Sequence, residues 1–406
     1  MAAATFSIVV PTLRRPDTLQ ACLRTVLIQD VPEMEIIVSN NGGDQTTRDV
    51  VAALGDPRLR CVEPPKLLSM AHNFEFGLAQ ASGAWLVLLG DDDGILPGGL
   101  RRGMAILDAS GGEALASPTC LYQWPVPGET AARTSLTVPM GRGWSWRSSE
   151  AAIRGMLDRD MGFNEAPVTY TGGIVSAALF ERIKAVRGSF FQSQIPDCFS
   201  AFALCSTTVR YVYCHEPLMV AGISRHSHGK ISMTATASQF DRHDNIPFHP
   251  SLPVPDDGNL TSSFQAMLYE CYLQTAYLRT GPAITNHRAQ IVTALAYARW
   301  FRGRYEGSGK AARIAAGWAR QAAAHHGLDF AAIDRDAARL PLRARLSQRR
   351  QTLADFLSRY SVAGGTQAPA DVLEACGLAG ELWRRRPSRL GSYAGSIARR
   401  LSRGRG

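Results

Sequence analysis

Three adjacent carboxylates, Asp91, Asp92 and Asp93, stand directly behind an apolar run from Trp85 to Leu89. Ionised side chains ~4 to 7 Å apart repel by on the order of 1 kcal/mol per pair even in water, and by more in a cleft. A hard divalent cation removes that cost, because Mg²⁺ and Mn²⁺ prefer carboxylate oxygen and keep positions open for waters and a substrate phosphate. Asp91, Asp92 and Asp93 are therefore candidate metal ligands, with Mn²⁺ or Mg²⁺ as the expected cofactor. The bland alternative is a solvated acidic turn. It is disfavoured by the buried-strand pattern before the cluster and by Pro97, which reads as opening a helix just after it. Ligands of open α/β sheets bind beyond the carboxyl ends of the strands, where this cluster falls.

Other polar residues stand at comparable places. Pro11-Thr12-Leu13-Arg14 follows the first apolar run, Asn40-Asn41 the second, and Lys66 the third. An amide pair can donate and accept in the plane of a base such as uracil, and Arg14 and Lys66 supply positive charge for a diphosphate. Each has a plainer reading, as turn chemistry for Asn40-Asn41 and as surface charge for Arg14 and Lys66. Together with Asn73 they make a candidate nucleotide site. Further on, Gly172-Gly173 allows close backbone approach to a ligand, or a tight turn before a strand. His226 and His228 carry imidazoles that suit a divalent metal, or are loop histidines without a role. Asp197 follows Pro196 at a helix start, where it reads equally as an N-cap.

The elements that would position these residues alternate. Strands read over Phe6 to Val10, Glu35 to Ser39, Leu59 to Val62 and Ala84 to Leu89. Helices read behind Asp17, with Gln20 completing a capping box, over Thr46 to Leu54, and over Ser69 to Gln80. That order predicts a Rossmann-like, mostly parallel α/β sheet with helices on both faces. No GxGxxG or GxxxxGK[ST] follows the first strand, which argues against a dinucleotide fold or a P-loop. From Ala114 to Trp146 the pattern turns irregular, punctuated by Trp124, Trp144 and Trp146, whose faces suit sugar stacking or core packing. A strand reads over Val209 to Cys214. From about Asn259 the periodicity is helical.

At 406 residues, two domains are expected: 1–240, with a nucleotide-binding half 1–110 and an acceptor half 111–240, and a helical C-terminal region 255–406. The eight cysteines form no CxxC pair and read as reduced core residues. No apolar run approaches the ~18 residues of a membrane span, and Met1 to Val10 lacks a basic n-region, so a cytoplasmic location is expected. The net charge of +9 is accounted for by the segment from Pro341 on, which holds 13 Arg against 4 acidic residues. Its last segment, from Trp383-Arg384-Arg385-Arg386 through Leu401 and Arg403, reads as a basic amphipathic helix for the inner face of an anionic membrane, or as a solvated end. No aromatic platform accompanies the arginines, so nucleic acid is not an expected partner.

Val9-Val10-Pro11-Thr12, Glu35 to Asn41 and Leu88 to Pro97 together resemble the family 2 glycosyltransferases of GT-A fold. The resemblance spans roughly residues 5 to 235 and is strongest over the first hundred. It implies an inverting enzyme that moves a sugar from a nucleotide-diphosphate sugar, UDP favoured, to a hydroxyl of a glycan or lipid-linked acceptor, as in bacterial surface polysaccharide assembly. It further implies base contacts from Asn40 and Asn41, a donor-sugar segment at Gly172-Gly173, a catalytic base at Asp197 with Glu165 in reserve, and a late His, 226 or 228, near the metal. Where the family commonly carries the first Asp of Asp-x-Asp-Asp, this chain has Gly90, and the acidic residue common after the second strand is replaced by Asn40-Asn41. Alignment on Pro97 gives Asp92 to the metal and Asp91 to the ribose, whereas an extended loop points Asp91 and Asp93 the same way. A sugar nucleotidyltransferase and a non-catalytic nucleotide-sugar or carbohydrate-binding protein are the alternatives. The oligomeric state is open, with the helical region as the surface for a homodimer.

Overall fold

The computed structural model describes residues 5–31, 33–126, 134–193, 195–225, 251–252, 264–279, 286–300, 308–340, 358–363 and 368–385. Strands β1 (Phe6–Thr12), β2 (Met34–Asn40), β3 (Leu59–Val62) and β4 (Trp85–Leu88) pair in parallel in the order β3-β2-β1-β4. Alternate residues point to opposite faces, as a two-residue period requires. Ile8, Val10, Ile36, Val38 and Val87 pack with helix α1 (Pro16–Leu27), while Val9, Ile37, Leu86 and Leu88 pack with helix α3 (Met70–Leu78). Helix α2 (Gln45–Leu54) is capped by the Asp44 carboxylate, which accepts from the Thr47 amide, and α3 by Ser69. The α/β half expected from the sequence is therefore present, its polar loops at one edge.

Some boundaries differ. Helix α1 begins at Pro16 with Arg15 as an N-cap whose side chain makes no capping bond, so Asp17 sits inside the first turn rather than in a capping box. Pro97 does not open the next helix. A short strand, β5 (Gly94–Ile95), follows the acidic loop, and helix α4 runs over Gly99–Ser110.

The stretch read as irregular folds into short strands: β6 (Ala114–Ala116), β7 (Cys120–Gln123), β8 (Ser135–Pro139) and β9 (Trp144–Ser148). Helix α5 (Ser149–Asp158), strand β10 (Gly173–Ser176), helices α6 (Ala177–Lys184) and α7 (Pro196–Thr207), and strands β11 (Arg210–Cys214) and β12 (Met219–Ile223) complete this half. The large sheet has eight strands, with β10 antiparallel to β4 and β9 at the far edge. Trp144 and Trp146 thus lie on the edge strand opposite the nucleotide half.

Helices α8 (Phe264–Gln274), α9 (His287–Trp300), α10 (Ser308–His325) and α11 (Phe330–Arg339) form the helical region. It shares one continuous core with α7, through pairs such as Phe202 and Tyr272, whose ring centroids are 6.0 Å apart. The last described segments leave that region. Strand β13 (Arg359–Ala363) pairs with β8, and helix α12 (Val372–Arg385) packs Val372, Ala375, Cys376 and Ala379 against β7, β8 and β12. Residues placed by sequence in the 255–406 region therefore complete a second, five-stranded sheet, β13-β8-β7-β12-β5. All eight cysteines are free, and seven are buried. Among the described residues no helix is long and apolar enough to cross a membrane.

Glu270 on α8 carries a pH-dependent stability. Burial pushes its carboxyl up to about 7, against the Ser251 amide that donates to it. Because the folded state holds this proton to higher pH than the unfolded chain, whose Glu titrates near ~4.3, stability is full at low pH and falls as pH rises through 7. Glu270→Gln should therefore raise the thermal midpoint by a few degrees at pH 8, roughly the effect of 1 to 3 kcal/mol, and leave it unchanged at pH 4.5. Equal shifts at both pH values in thermal scans would refute this.

Candidate active site

The acidic loop sits at the carboxyl end of β4, where Leu89 N–H still bonds Val9 C=O, and all of its carboxylates are buried. Each is held differently. Asp91 accepts from the Thr12 hydroxyl at 2.7 Å and from the Arg15 guanidinium at 3.1 Å, so the end of β1 braces the end of β4. Asp92 accepts from the Ser224 hydroxyl at 2.7 Å, and its carbonyl accepts from Trp124 Nε1 at 2.9 Å. Asp93 has both oxygens engaged, by the Thr171 hydroxyl and by Gly222 N–H at 2.7 Å.

Burial pushes the Asp91 carboxyl up to about 6 against the pull of Arg15, and neighbouring Asp92 pushes the same way. Burial raises Asp93 further, and here Asp92 is the largest charge acting on it. Buried, mutually repelling oxygens are a donor set that a hard divalent cation fits. Asp91 and Asp93 each have both oxygens engaged, by Thr12 and Arg15 and by Thr171 and Gly222, and Asp92 lies between them with the Ser224 hydroxyl on its Oδ2. His226 and His228 lie outside the described residues. Among the described residues no group of three His, Cys, Asp or Glu side chains is already arranged around a common point.

Close backbone approach sets the loop. A Cβ on Gly222 would stand 1.9 Å from Asp92 C=O, so only glycine lets β12 press against the acidic loop. Gly172, at φ +100°, and Gly173, whose Cβ would meet Val168 C=O at 1.8 Å, are glycines for the same reason. Their identity is explained by backbone packing at the start of β10.

The nucleotide-side residues fall into two groups. Thr12 and Arg15 reach the acidic loop. Arg14, expected there from the sequence, is exposed, with φ 55°, and Arg15 takes the contact. Pro11 lies buried in β1. Asn40 donates to Glu63 at 2.7 Å and Asp44 C=O at 3.0 Å and accepts from Asp44 N–H at 3.1 Å. Asn41 clamps the Leu68 backbone, donating at 2.8 Å and accepting at 2.9 Å. Asn73 accepts from the Ser39 hydroxyl at 2.7 Å. These amides fix the loops at the carboxyl ends of β2 and β3. Lys66 is exposed and lines a groove of about 420 Å³ with His72, Glu75 and Lys184.

Asp197 is the second residue of α7, behind Pro196, with Ile195 as the N-cap. Its Oδ1 accepts from Cys198 N–H at 2.8 Å, and burial holds its carboxyl above the usual range. Glu165, the reserve base, is paired with Arg147 at 3.0 Å. Tyr170 was passed over in the sequence. Thr169 N–H donates to the Ser200 hydroxyl at 3.1 Å, which itself donates to Asp197 C=O at 2.7 Å, and the Thr171 hydroxyl donates to Asp93, so Tyr170 stands between the start of α7 and the acidic loop.

A mostly parallel α/β half ending in a buried acidic loop, followed by a second half with the half-buried Asp197 at a helix start, is the fold class expected from the sequence. Residues 7–127 match the family model described as "Glycosyl transferase family 2". The chain is 29% identical over 105 residues to the succinoglycan biosynthesis protein ExoO of Rhizobium meliloti, covering 26% of this chain and 30% of that protein. It is 32% identical over 120 residues to the GalNAc(5)-diNAcBac-PP-undecaprenol beta-1,3-glucosyltransferase of Campylobacter jejuni, covering 29% of this chain and 38% of that protein. Both matches span well under half of the relative's length. A solved structure of S. aureus TarS 1-349 in complex with UDP-GlcNAc is similar at 14% identity and TM-score 0.45, over 80% of this chain and 92% of that one.

Proposed function

We propose that the chain is an inverting, metal-dependent glycosyltransferase that moves a sugar from a nucleotide-diphosphate sugar, UDP favoured, to a hydroxyl of a glycan or lipid-linked acceptor in polysaccharide or glycoconjugate assembly. The observation that carries this reading is the buried Asp91–Asp92 pair at the end of β4, braced by Thr12 and Arg15 within the family 2 segment. The two relatives, whose names place them in succinoglycan biosynthesis and in glucosyl transfer to an undecaprenol-linked glycan, support it.

Asp92, with Asp91, would hold Mn²⁺ or Mg²⁺, which when bound supplies positive charge for the leaving diphosphate. Arg15, already on Asp91, adds a fixed cation at the same loop. Asp197 takes the proton of the acceptor hydroxyl as its oxygen forms the new bond to the anomeric carbon and the bond to the diphosphate oxygen breaks. A carboxyl raised by burial is a stronger base than an exposed one, which suits this task. On this reading the Arg-rich tail, whose last residues 386–406 lie outside the described part, holds the enzyme at an anionic membrane beside a lipid-linked acceptor.

The test is release of nucleoside diphosphate from UDP-glucose, UDP-N-acetylglucosamine and GDP-mannose, with Mn²⁺ or Mg²⁺ and with EDTA. Slow, metal-dependent release from one donor is expected. Pyrophosphate release from a nucleoside triphosphate would instead identify a nucleotidyltransferase, and affinity without turnover a binding protein.

A further inference from the structure

Gly90 and Tyr170 occupy one another's space. A Cβ built on Gly90 would stand 2.5 Å from the Tyr170 hydroxyl and 2.5 Å from Asp93 Oδ2. At the position where the resemblance implies a carboxylate, this chain therefore puts a phenol against bare backbone. The ring is held from behind. It stacks on Phe74 at 5.8 Å with 12° between planes, and Phe74 meets Phe191 edge-on at 6.0 Å. Thr171, the next residue, takes Asp93 Oδ2, so the phenol is not needed to satisfy that carboxylate. Among the described residues nothing is hydrogen-bonded to the Tyr170 hydroxyl.

We propose that the Tyr170 hydroxyl donates a hydrogen bond to the sugar being transferred, making it a recognition residue for the donor's sugar rather than for its nucleotide. The inference rests on the glycosyltransferase reading above. In that reading the acidic loop faces the diphosphate and Asp197 faces the acceptor hydroxyl, so the group between them is the sugar. Tyr170 lies between them, since its hydroxyl stands against Gly90 of the acidic loop while its neighbour Thr169 is tied through Ser200 to the Asp197 backbone. A phenol O–H is a neutral donor, whereas a carboxylate at position 90 would be an acceptor and a further charge in a crowded acidic loop.

The test compares binding in Mn²⁺ of whichever of UDP-glucose, UDP-N-acetylglucosamine and GDP-mannose the wild type binds most tightly with binding of the matching UDP or GDP. Tyr170→Phe should weaken the nucleotide sugar roughly 5- to 20-fold while the nucleoside diphosphate and the thermal midpoint stay at wild-type values. Equal loss for both ligands, or no loss for either, would overturn the proposal. Gly90→Ala supplies a second readout, since its methyl runs into the hydroxyl. Part of its stability loss should be recovered when combined with Tyr170→Phe, and strict additivity would overturn the placement. Because the comparison is of affinity, sugar discrimination without turnover would refute the transferase reading and leave the sugar contact standing. Failure of the wild type to bind any of these donors would refute both.

Discussion

Replacing Asp92 with Ala is expected to lower donor turnover by about 10³-fold or more while leaving the chain folded. A bound cation contributes several kcal/mol of charge stabilisation at a leaving diphosphate, and about 1.4 kcal/mol is tenfold in rate. Asp92 is singled out as the central carboxylate, the charge that pushes both of its neighbours up. Asp91 is braced by Thr12 and Arg15, and Asp93 is tied through both oxygens to Thr171 and Gly222. Asp92 meets the Ser224 hydroxyl, a partner compatible with a nearby cation because it offers lone pairs as well as a proton. Removing Asp92 also relieves the repulsion it exerts on Asp91 and Asp93. The metal-free variant should thus melt no lower than wild type, while the rise in melting temperature that Mn²⁺ gives the wild type disappears. A variant that keeps a tenth of wild-type activity, or still gains stability from Mn²⁺, would move the metal site elsewhere.

The first hundred residues were readable because hydrophobic alternation and helical periodicity are local signals, and β1 to β4 with α1 to α3 obey them. The second sheet was hidden for the opposite reason. Its strands β5, β7, β8, β12 and β13 come from Gly94–Ile95 to Arg359–Ala363, and no local window reports that pairing. The site shows the same division. The acidic loop could be found from Asp91, Asp92 and Asp93 alone, but which oxygen faces which partner depends on Thr171, Gly222 and Ser224, well over seventy positions away. Asn40 and Asn41 had the right chemistry for a base, yet the structure uses those amides to fix Asp44 and Leu68. Arg14 and Arg15 were indistinguishable by type, and a left-handed backbone at Arg14 decides which one turns toward Asp91. Gly222 carried a usable sign, since a glycine inside a strand marks close backbone approach.

Asp197→Asn should cost about 10² to 10⁴ in kcat with little change in donor KM, the loss typical of a missing general base. Asparagine preserves the shape and the acceptor for Cys198 N–H at 2.8 Å, so the start of α7 stays intact while the proton acceptor is lost. The electrostatics separate this outcome from simple structural damage. Burial raises the Asp197 carboxyl, so its ionised form is disfavoured in the folded state, and the stability it withholds is lost as pH rises through its folded pKa. At pH 8 the Asn variant should therefore melt at or above the wild-type temperature while being nearly inactive, the trade expected of a residue kept for chemistry at the expense of stability. The wild-type kcat should fall toward acid pH with a midpoint above that of an exposed aspartate, and the residual rate of the variant should lack that limb. If Asp197→Asn instead lowers the melting temperature and donor affinity together, the carboxylate is a support for α7, and the base must be sought elsewhere, since Glu165 is already paired with Arg147.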